Sequence, residues 1–403
     1  MIGNLQALSS IRIIDLTHLV AGPYCTKLLA DFGAEVIKIE KPGGGDKARR
    51  MPPFAGDEPH VEKSGLFLYL NTNKKSITLN LKTKMGKEML LNLVRGADIV
   101  VESFAPRVMP SLGLSYETLK EVKEDIIMVS ISNFGQTGPY RDYKATELGL
   151  LAIGGTLYQT GTPERPVKLG GFQAQYLAGL YSFVASLGAI YGDVQSSGGR
   201  RLDISMMECV ACFTAFQGWI PYAYMGVTVG REFFKRFVSG HPVGLYRCKD
   251  GHVVVVPGLG GMQSLALLLE KPELAEHRMF TSAWTRQDQA KEFDDTFLLP
   301  WLKEHEHKEI VETAQELRMP FSELETIDEL LIDKQLEERD FFTSSEHPVA
   351  GRLTYPGSSF KGGKIKSRSG RAPLLGENNE EIYCGMLGFS KKDLVELKEL
   401  DII

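Results

Sequence analysis

The chain has 403 residues, 43% of them hydrophobic, with 46 basic and 51 acidic side chains and a net charge of −5; that supports one large core and a smaller second one. The balance gives no ground for a nucleic-acid or anionic-membrane partner, no apolar run is long enough to span a bilayer, and residues 1–10 lack the basic-then-apolar order of a signal peptide. Five cysteines, an odd and sparse count, read as free thiols in a reducing compartment, so a soluble cytoplasmic protein is expected.

Residues 11–16 form a β-type run with Asp15 near its end. Pro23 suits the first turn of a helix, because its missing N–H would be unpaired there. Residues 24–32 fit that helix and Gly33 fits its C-terminal cap. A second strand is predicted over 34–40, broken by Lys41-Pro42-Gly43-Gly44-Gly45-Asp46. This β–α–β unit predicts a parallel sheet. The pattern repeats, with a strand over 76–81, a helix over 84–95, and strands over 98–103 and 126–132. The expected fold class is therefore α/β, with a doubly wound, Rossmann-like sheet and ligands at the C-terminal ends of its strands.

Tyr176, Leu177, Leu180, Val184, Leu187 and Tyr191 recur at helical spacing, which predicts a buried helix over 175–191. Gly198-Gly199 turns the chain into a strand over 201–206. Aromatic, glycine and basic residues crowd 222–241, which reads as a loop crossing between domains. A hairpin over 246–256 turns at Lys249-Asp250-Gly251. Charge-rich helical segments fill 262–342, residues 352–363 are extended, and a short helix covers 391–400. The domain boundaries expected are 1–220 for the first part of the large domain, 221–240 for the linker, 241–335 for a small domain, and 336–403 for a return to the large domain.

Several chemistries find little support. A dinucleotide fingerprint needs three glycines where the first turn offers only Gly22, although Glu40 ends a strand where a ribose ligand could sit. No nicotinamide or flavin is therefore expected, and Glu40 reads as a strand-end cap. Cys209 and Cys212 lie in an apolar helical stretch and read as packed core thiols. His305-Glu306-His307 reads as the solvated face of one charged helix over 303–309, so no metal is expected. No G-x-S-x-G elbow exists.

Six stretches carry a more specific signal. They are Asp15-Leu16-Thr17-His18 through Ala21-Gly22-Pro23; Leu29-Ala30-Asp31-Phe32-Gly33-Ala34 through Ile37-Lys38-Ile39-Glu40; Asn73-Lys74-Lys75-Ser76-Ile77; Gly198-Gly199 through Asp203-Ile204-Ser205-Met206; Tyr246-Arg247-Cys248-Lys249-Asp250-Gly251; and Arg371-Ala372-Pro373-Leu374-Leu375-Gly376-Glu377. In this order they resemble the class III (CaiB/BaiF-type) coenzyme A transferases. The resemblance implies a large Rossmann-like domain built from both chain ends, a small middle domain, and two subunits threaded like linked rings. It also implies coenzyme A contacts at Leu19, Lys41, Leu79, Lys82, Ser103, Phe104, Lys144 and Met206. The chemistry is compatible: Lys41 follows a parallel strand, Lys82 and Lys144 add positive charge, and Phe104 offers a face to an adenine ring. A basic residue that the family can carry near the diphosphate falls on Ser111, and Arg107, one turn earlier, is its expected substitute. The family's glycine-rich shielding loop shrinks to Gly240-His241-Pro242.

The family's nucleophilic aspartate, four residues before a glycine at a helix start, falls on Gln175 in Phe172-Gln173-Ala174-Gln175-Tyr176-Leu177-Ala178-Gly179. That aspartate attacks the donor thioester, forms a mixed anhydride and then carries coenzyme A as a thioester. A glutamine cannot: its nitrogen lone pair is delocalised and its oxygen is neutral. Glu147 matches a family position near the site and is the candidate replacement, as base or nucleophile. The racemase branch loses both its residues, with Thr146 at the histidine position and Gln175 at the other. Three readings follow. The chain is the non-nucleophilic subunit of a heteromeric transferase of the succinyl-CoA:benzylsuccinate type, whose homologous partner carries the aspartate. Alternatively, it is a stand-alone acyl-CoA enzyme using Glu147 or substrate-assisted chemistry, or an acyl-CoA binding protein without catalysis. Tyr222, Tyr224, Phe233 and Phe234 are candidates for an aromatic acceptor pocket or for linker packing.

Overall fold

The structure is a computed structural model that describes residues 6–162, 164–193, 198–215, 218–228, 230–231, 241–258, 261–362 and 367–403. Six strands form one parallel sheet: β1 (Arg12–Asp15), β2 (Glu35–Glu40), β3 (Lys75–Thr78), β4 (Ile99–Glu102), β5 (Ile127–Ser132) and β6 (Arg200–Ser205), in the order β3-β2-β1-β4-β5-β6. Ile14 of β1 lies opposite Ile37 and Val100, and Val100 lies opposite Met128. Central strands of a parallel sheet are covered on both faces, which is why they read as runs made mostly of Val and Ile.

Two cores follow from that sandwiching. On one face Ile13, Val36, Ile99 and Val129 pack with Cys25, Leu29, Ala174 and Ala178 from the helices Ala21–Asp31 and Gln173–Asp193. Those two helices approach closely at Gly179, where an added Cβ would stand 2.6 Å from the Ala21 carbonyl oxygen. On the other face Ile14, Ile37, Val100 and Met128 meet Leu90 and Leu93 of the helix Lys84–Val94. The last stretch of chain joins this face through Ile382, Tyr383 and Leu397, and the Tyr383 hydroxyl donates to the Thr78 carbonyl at 2.6 Å.

The chain divides into two compact units. One comprises Met1–Leu157, Lys168–Phe216 and Glu338–Ile403; the other comprises Tyr158–Val167 and Gln217–Glu337. The second unit holds an antiparallel sheet of β7 (Gly244–Arg247), β8 (His252–Val255) and β9 (Ser322–Glu323), with a core that includes Val253, Leu265, Phe293, Leu302 and Phe321.

Several local expectations are corrected. The long helix starts at Gln173, two residues early. Trp219–Met225 is a helix, closed by Gly226 at φ 66°, where a crossing loop was expected. Tyr222 and Tyr224 stand exposed on it, and Phe233 and Phe234 lie outside the described residues. The helical reading overruns into β10 (Phe342–His347), which pairs with β11 (Gly351–Pro356) as a hairpin. Its turn is fixed by His347 Nδ1, which accepts from the Val349 and Ala350 amides at 3.3 and 3.1 Å. Cys209 is buried as expected but Cys212 is exposed, because the Met206–Phe213 helix turns that face outward. His305-Glu306-His307 is not one helix face: the Leu299–Glu304 helix ends and His307–Glu316 begins there. His307 is held between Asp250 and Glu323 at 2.8 and 3.3 Å, while His305 stacks on Trp301. Among the described residues no helix is long and apolar enough to cross a membrane, and no cluster of His, Cys, Asp or Glu is arranged to hold a metal.

Candidate active site

The sheet reverses its strand order between β1 and β4, which opens a crevice above their C-terminal ends. A buried ionic network builds its floor. Asp15, at the end of β1, accepts from the Thr17 amide at 2.9 Å and from the Thr26 hydroxyl at 2.7 Å, and it meets Lys74 at 3.1 Å. Burial pushes its carboxyl up, but Lys38, Lys74 and the hydroxyls of Thr17 and Thr26 prevail and hold it well below the usual carboxylate range. Burial lowers Lys74 to about 8 against the attraction of Asp15. Lys38 donates to the Thr17 carbonyl at 2.9 Å and lies 2.9 Å from Asp46. Asp46 in turn accepts from the amides of Leu19 and Ala48 at 3.0 and 2.8 Å. The Thr17–Leu19 turn is thereby fixed although Leu19 sits at φ 66°, a conformation a leucine rarely adopts.

This turn is tied to the loop after β4. The His18 amide donates to the Ser103 hydroxyl at 3.0 Å, and the His18 and Phe104 rings lie 5.5 Å apart. Beneath the loop, Glu102 accepts the Phe104 amide at 2.9 Å. Burial raises its carboxyl to about 7, in spite of the hydrogen bond from the Phe104 amide and the neighbouring Ser130 hydroxyl. Ser103, Phe104, Arg107, Lys144 and Met206 all line one cleft of about 560 Å³. The loop that brings Lys144 is anchored by Asp203, which accepts the Gln136 amide at 2.9 Å.

The residues picked from sequence thus separate into two groups. Five line the cleft, and Leu19 joins them through His18 and Ser103. Lys41, Leu79 and Lys82 follow β2 and β3 along the same edge of the sheet, outside the cleft lining. Lys41 and Lys82 are exposed; Leu79 is buried and donates its amide to the Glu40 carbonyl at 2.8 Å. Glu40 is not open to a ribose: it is buried and holds Arg49 at 2.7 and 2.8 Å, Ser76 at 2.7 Å and the Asp46 amide at 2.8 Å. Arg107 is engaged by Asp142 through two hydrogen bonds of 2.9 and 2.6 Å, and the Ser111 hydroxyl turns back to the Val108 carbonyl. Sequence reasoning missed Lys38, Asp46, Lys74, Glu102 and Asp142. Only Lys38 left a clue, as a charge inside the apolar strand Val36-Ile37-Lys38-Ile39.

Gln175 occupies the first turn of the Gln173–Asp193 helix, and Glu147 opens the Glu147–Ile153 helix. One Glu147 oxygen accepts the Ala174 amide at 2.7 Å; the other accepts the Gln175 side-chain amide at 3.4 Å. The carboxylate therefore occupies the positive end of the long helix. The amide at 175 also suits its neighbour, because a carboxylate there would face Glu147 with like charge. Thr146 caps the shorter helix by accepting the Gly149 amide at 3.3 Å. In the second unit, His241 lies 2.8 Å from Asp294, and Gly240 falls outside the described residues.

Comparison with known proteins places these features. Residues 8–379 match the profile of CoA-transferase family III. Human succinyl-CoA:glutarate CoA-transferase is 29% identical over 420 aligned positions, covering 99% of this chain and 90% of its own. Succinyl-CoA:(R)-benzylsuccinate CoA-transferase subunit BbsE of Thauera aromatica is 28% identical, covering 97% of this chain and 98% of its own. The crystal structure of a CaiB/BaiF family protein from Brucella suis superimposes with a TM-score of 0.84 at 26% identity, covering 94% of this chain and 99% of that one.

Proposed function

This chain belongs to CoA-transferase family III, and we propose that within the family it is the non-nucleophilic subunit of a heteromeric transferase. The complex moves coenzyme A from an acyl-CoA donor such as succinyl-CoA to a carboxylic acid such as an aryl- or alkyl-succinate. A homologous partner subunit supplies the aspartate. The observation that carries this reading is the pairing at the nucleophile position. Gln175 presents an amide there, and Glu147 spends its two oxygens on the Ala174 amide and on Gln175. Covalent transfer needs a free carboxylate aligned with the thioester carbon. The printed subunit designation of the Thauera relative supports a multi-chain assembly.

In this reading the acyl-CoA lies in the cleft. Phe104 offers its ring to the adenine, while Arg107 and Lys144 face the phosphates. Leu19, Ser103 and Met206 shape the path, and Lys41, Leu79 and Lys82 extend it along the sheet edge. The chain requires neither a metal nor a nicotinamide or flavin, since thioester exchange is carried by carboxylates alone.

The test is covalent trapping. Hydroxylamine converts acyl-anhydride and aspartyl-thioester groups to hydroxamates. With acyl-CoA and hydroxylamine, the complex of both chains is expected to carry the label on the partner's aspartate and none on this chain. The isolated chain is expected to show no transfer between succinyl-CoA and carboxylic acids. A label at Glu147, with turnover lost in Glu147→Gln, would establish a stand-alone enzyme instead.

A further inference from the structure

Resting on the placement of acyl-CoA in this cleft, we propose that Asp142 is a resident competitor for the ligand's phosphate groups: its carboxylate holds the cations of the cleft until a phosphate displaces it. The cleft is lined by three cations, Arg107, Arg141 and Lys144, and one acid, Asp142. Both Asp142 oxygens are taken by the fork of Arg107, Oδ1 from Nε at 2.9 Å and Oδ2 from Nη2 at 2.6 Å. This two-pronged geometry is the one a guanidinium offers to a phosphate. Arg141 Nε stands 3.8 Å from Asp142 Oδ1, too far for a hydrogen bond, and this buried donor has no other partner among the described residues. One carboxylate thus satisfies one arginine and leaves the second under-satisfied. A phosphate, with more acceptor oxygens and more charge, can serve both.

The exchange is feasible because the pair is at the surface. The side chains of Arg107 and Asp142 are 75% and 45% exposed. An exposed ion pair contributes little and is weakened by salt, so a polyanion can outcompete it. The pair also bridges the two loops that form the cleft, the one after β4 and the one carrying residues 138–144. Displacing Asp142 would therefore release one wall from the other as the ligand enters. Asp142 thereby sets a cost that falls on ligands binding through phosphate and not on phosphate-free fragments, which makes it a residue that tempers the affinity for phosphate-bearing thioesters.

The experiment is titration calorimetry of the chain, in its complex where the partner is available, with coenzyme A and with pantetheine, which has no phosphate. Asp142→Asn and Asp142→Ala are expected to bind coenzyme A about two- to fivefold more tightly than the parent at low salt, an effect that shrinks as salt rises. Pantetheine binding should not change. In an Arg107→Ala background, the gain from Asp142→Asn should disappear. Unchanged or weaker coenzyme A binding in both Asp142 variants, with parental binding intact, would overturn the proposal alone. An equal gain for pantetheine would also overturn it. No coenzyme A binding by the parent or either variant would overturn the cofactor placement and this inference with it.

Discussion

The floor and the mouth of the crevice use the same charged residue types to opposite ends. On the floor, Asp15, Lys38, Asp46 and Lys74 are buried, and each charge faces an opposite charge within 2.9–3.1 Å. At the mouth, Arg107 and Asp142 meet at a comparable 2.6 Å but stand in water. Distance alone would rank the two alike. Burial separates them, because a buried charge that loses its partner has no solvent to turn to. The floor therefore belongs to folding, holding Leu19 and Ser103 in place, while the mouth remains free to exchange partners.

The comparison breaks most visibly at Asp46. Asp46→Ala strips Lys38 of its nearest carboxylate and removes the acceptor for the Leu19 and Ala48 amides. A loss of about 3–5 kcal/mol of unfolding free energy is expected, the range for opening a buried pair, measured by urea denaturation. Asp46→Asn keeps an acceptor and should cost less. If Asp46→Ala melts like the parent, the floor is not the fixed platform described here.

How much of this was legible beforehand depends on the range of the interactions. The parallel sheet could be read because β1, β2, β4 and β5 are local runs rich in Val and Ile, and the residue at the nucleophile position because Gln175 stands four residues before Gly179 at a helix start. The network could not. Lys38 needs Asp46 across a glycine turn, and Lys74 needs Asp15 from 59 positions away, so neither pairing leaves a periodic trace. Asp142 looks in sequence like any other surface acid until the fold brings it to Arg107. The β10–β11 hairpin was half legible: residues 352–363 read as extended, while the helical reading of 262–342 ran up to Phe342 and the pairing of the two strands left no local trace.

Glu102 lies between the two regimes, 3% exposed and without a salt-bridge partner among the described residues, although Arg201 attracts its charge. Its carboxyl is raised from an ordinary 4.5 to about 7. Between those values the folded chain holds a proton that the unfolded chain has released, so this residue's contribution to stability falls as pH rises through the window. Glu102→Gln has nothing to lose there. The variant's stability relative to the parent should therefore increase by about 2–3 kcal/mol from pH 4.5 to pH 8, at 1.36 kcal/mol per pKa unit, and level off above. Denaturation curves across that range give the difference directly. A flat difference would place the Glu102 carboxyl in a better-solvated setting than the strand ends suggest.

The smallest effect is expected at the helix start, where Glu147 stands half-buried. Glu147→Gln keeps an oxygen for the Ala174 amide but removes the charge from the positive end of the Gln173–Asp193 helix. Helix-end charges of this kind contribute about 0.3–1 kcal/mol, and the loss should show as a slightly lower denaturation midpoint with an unchanged slope. Glu147→Ala also removes the acceptor and should cost about 1–2 kcal/mol, as for a lost N-cap. The order of the two variants carries the argument. If Glu147→Gln is as damaging as Glu147→Ala, the charge rather than the hydrogen bond holds the helix start, and the amide of Gln175 is then what keeps that charge in place.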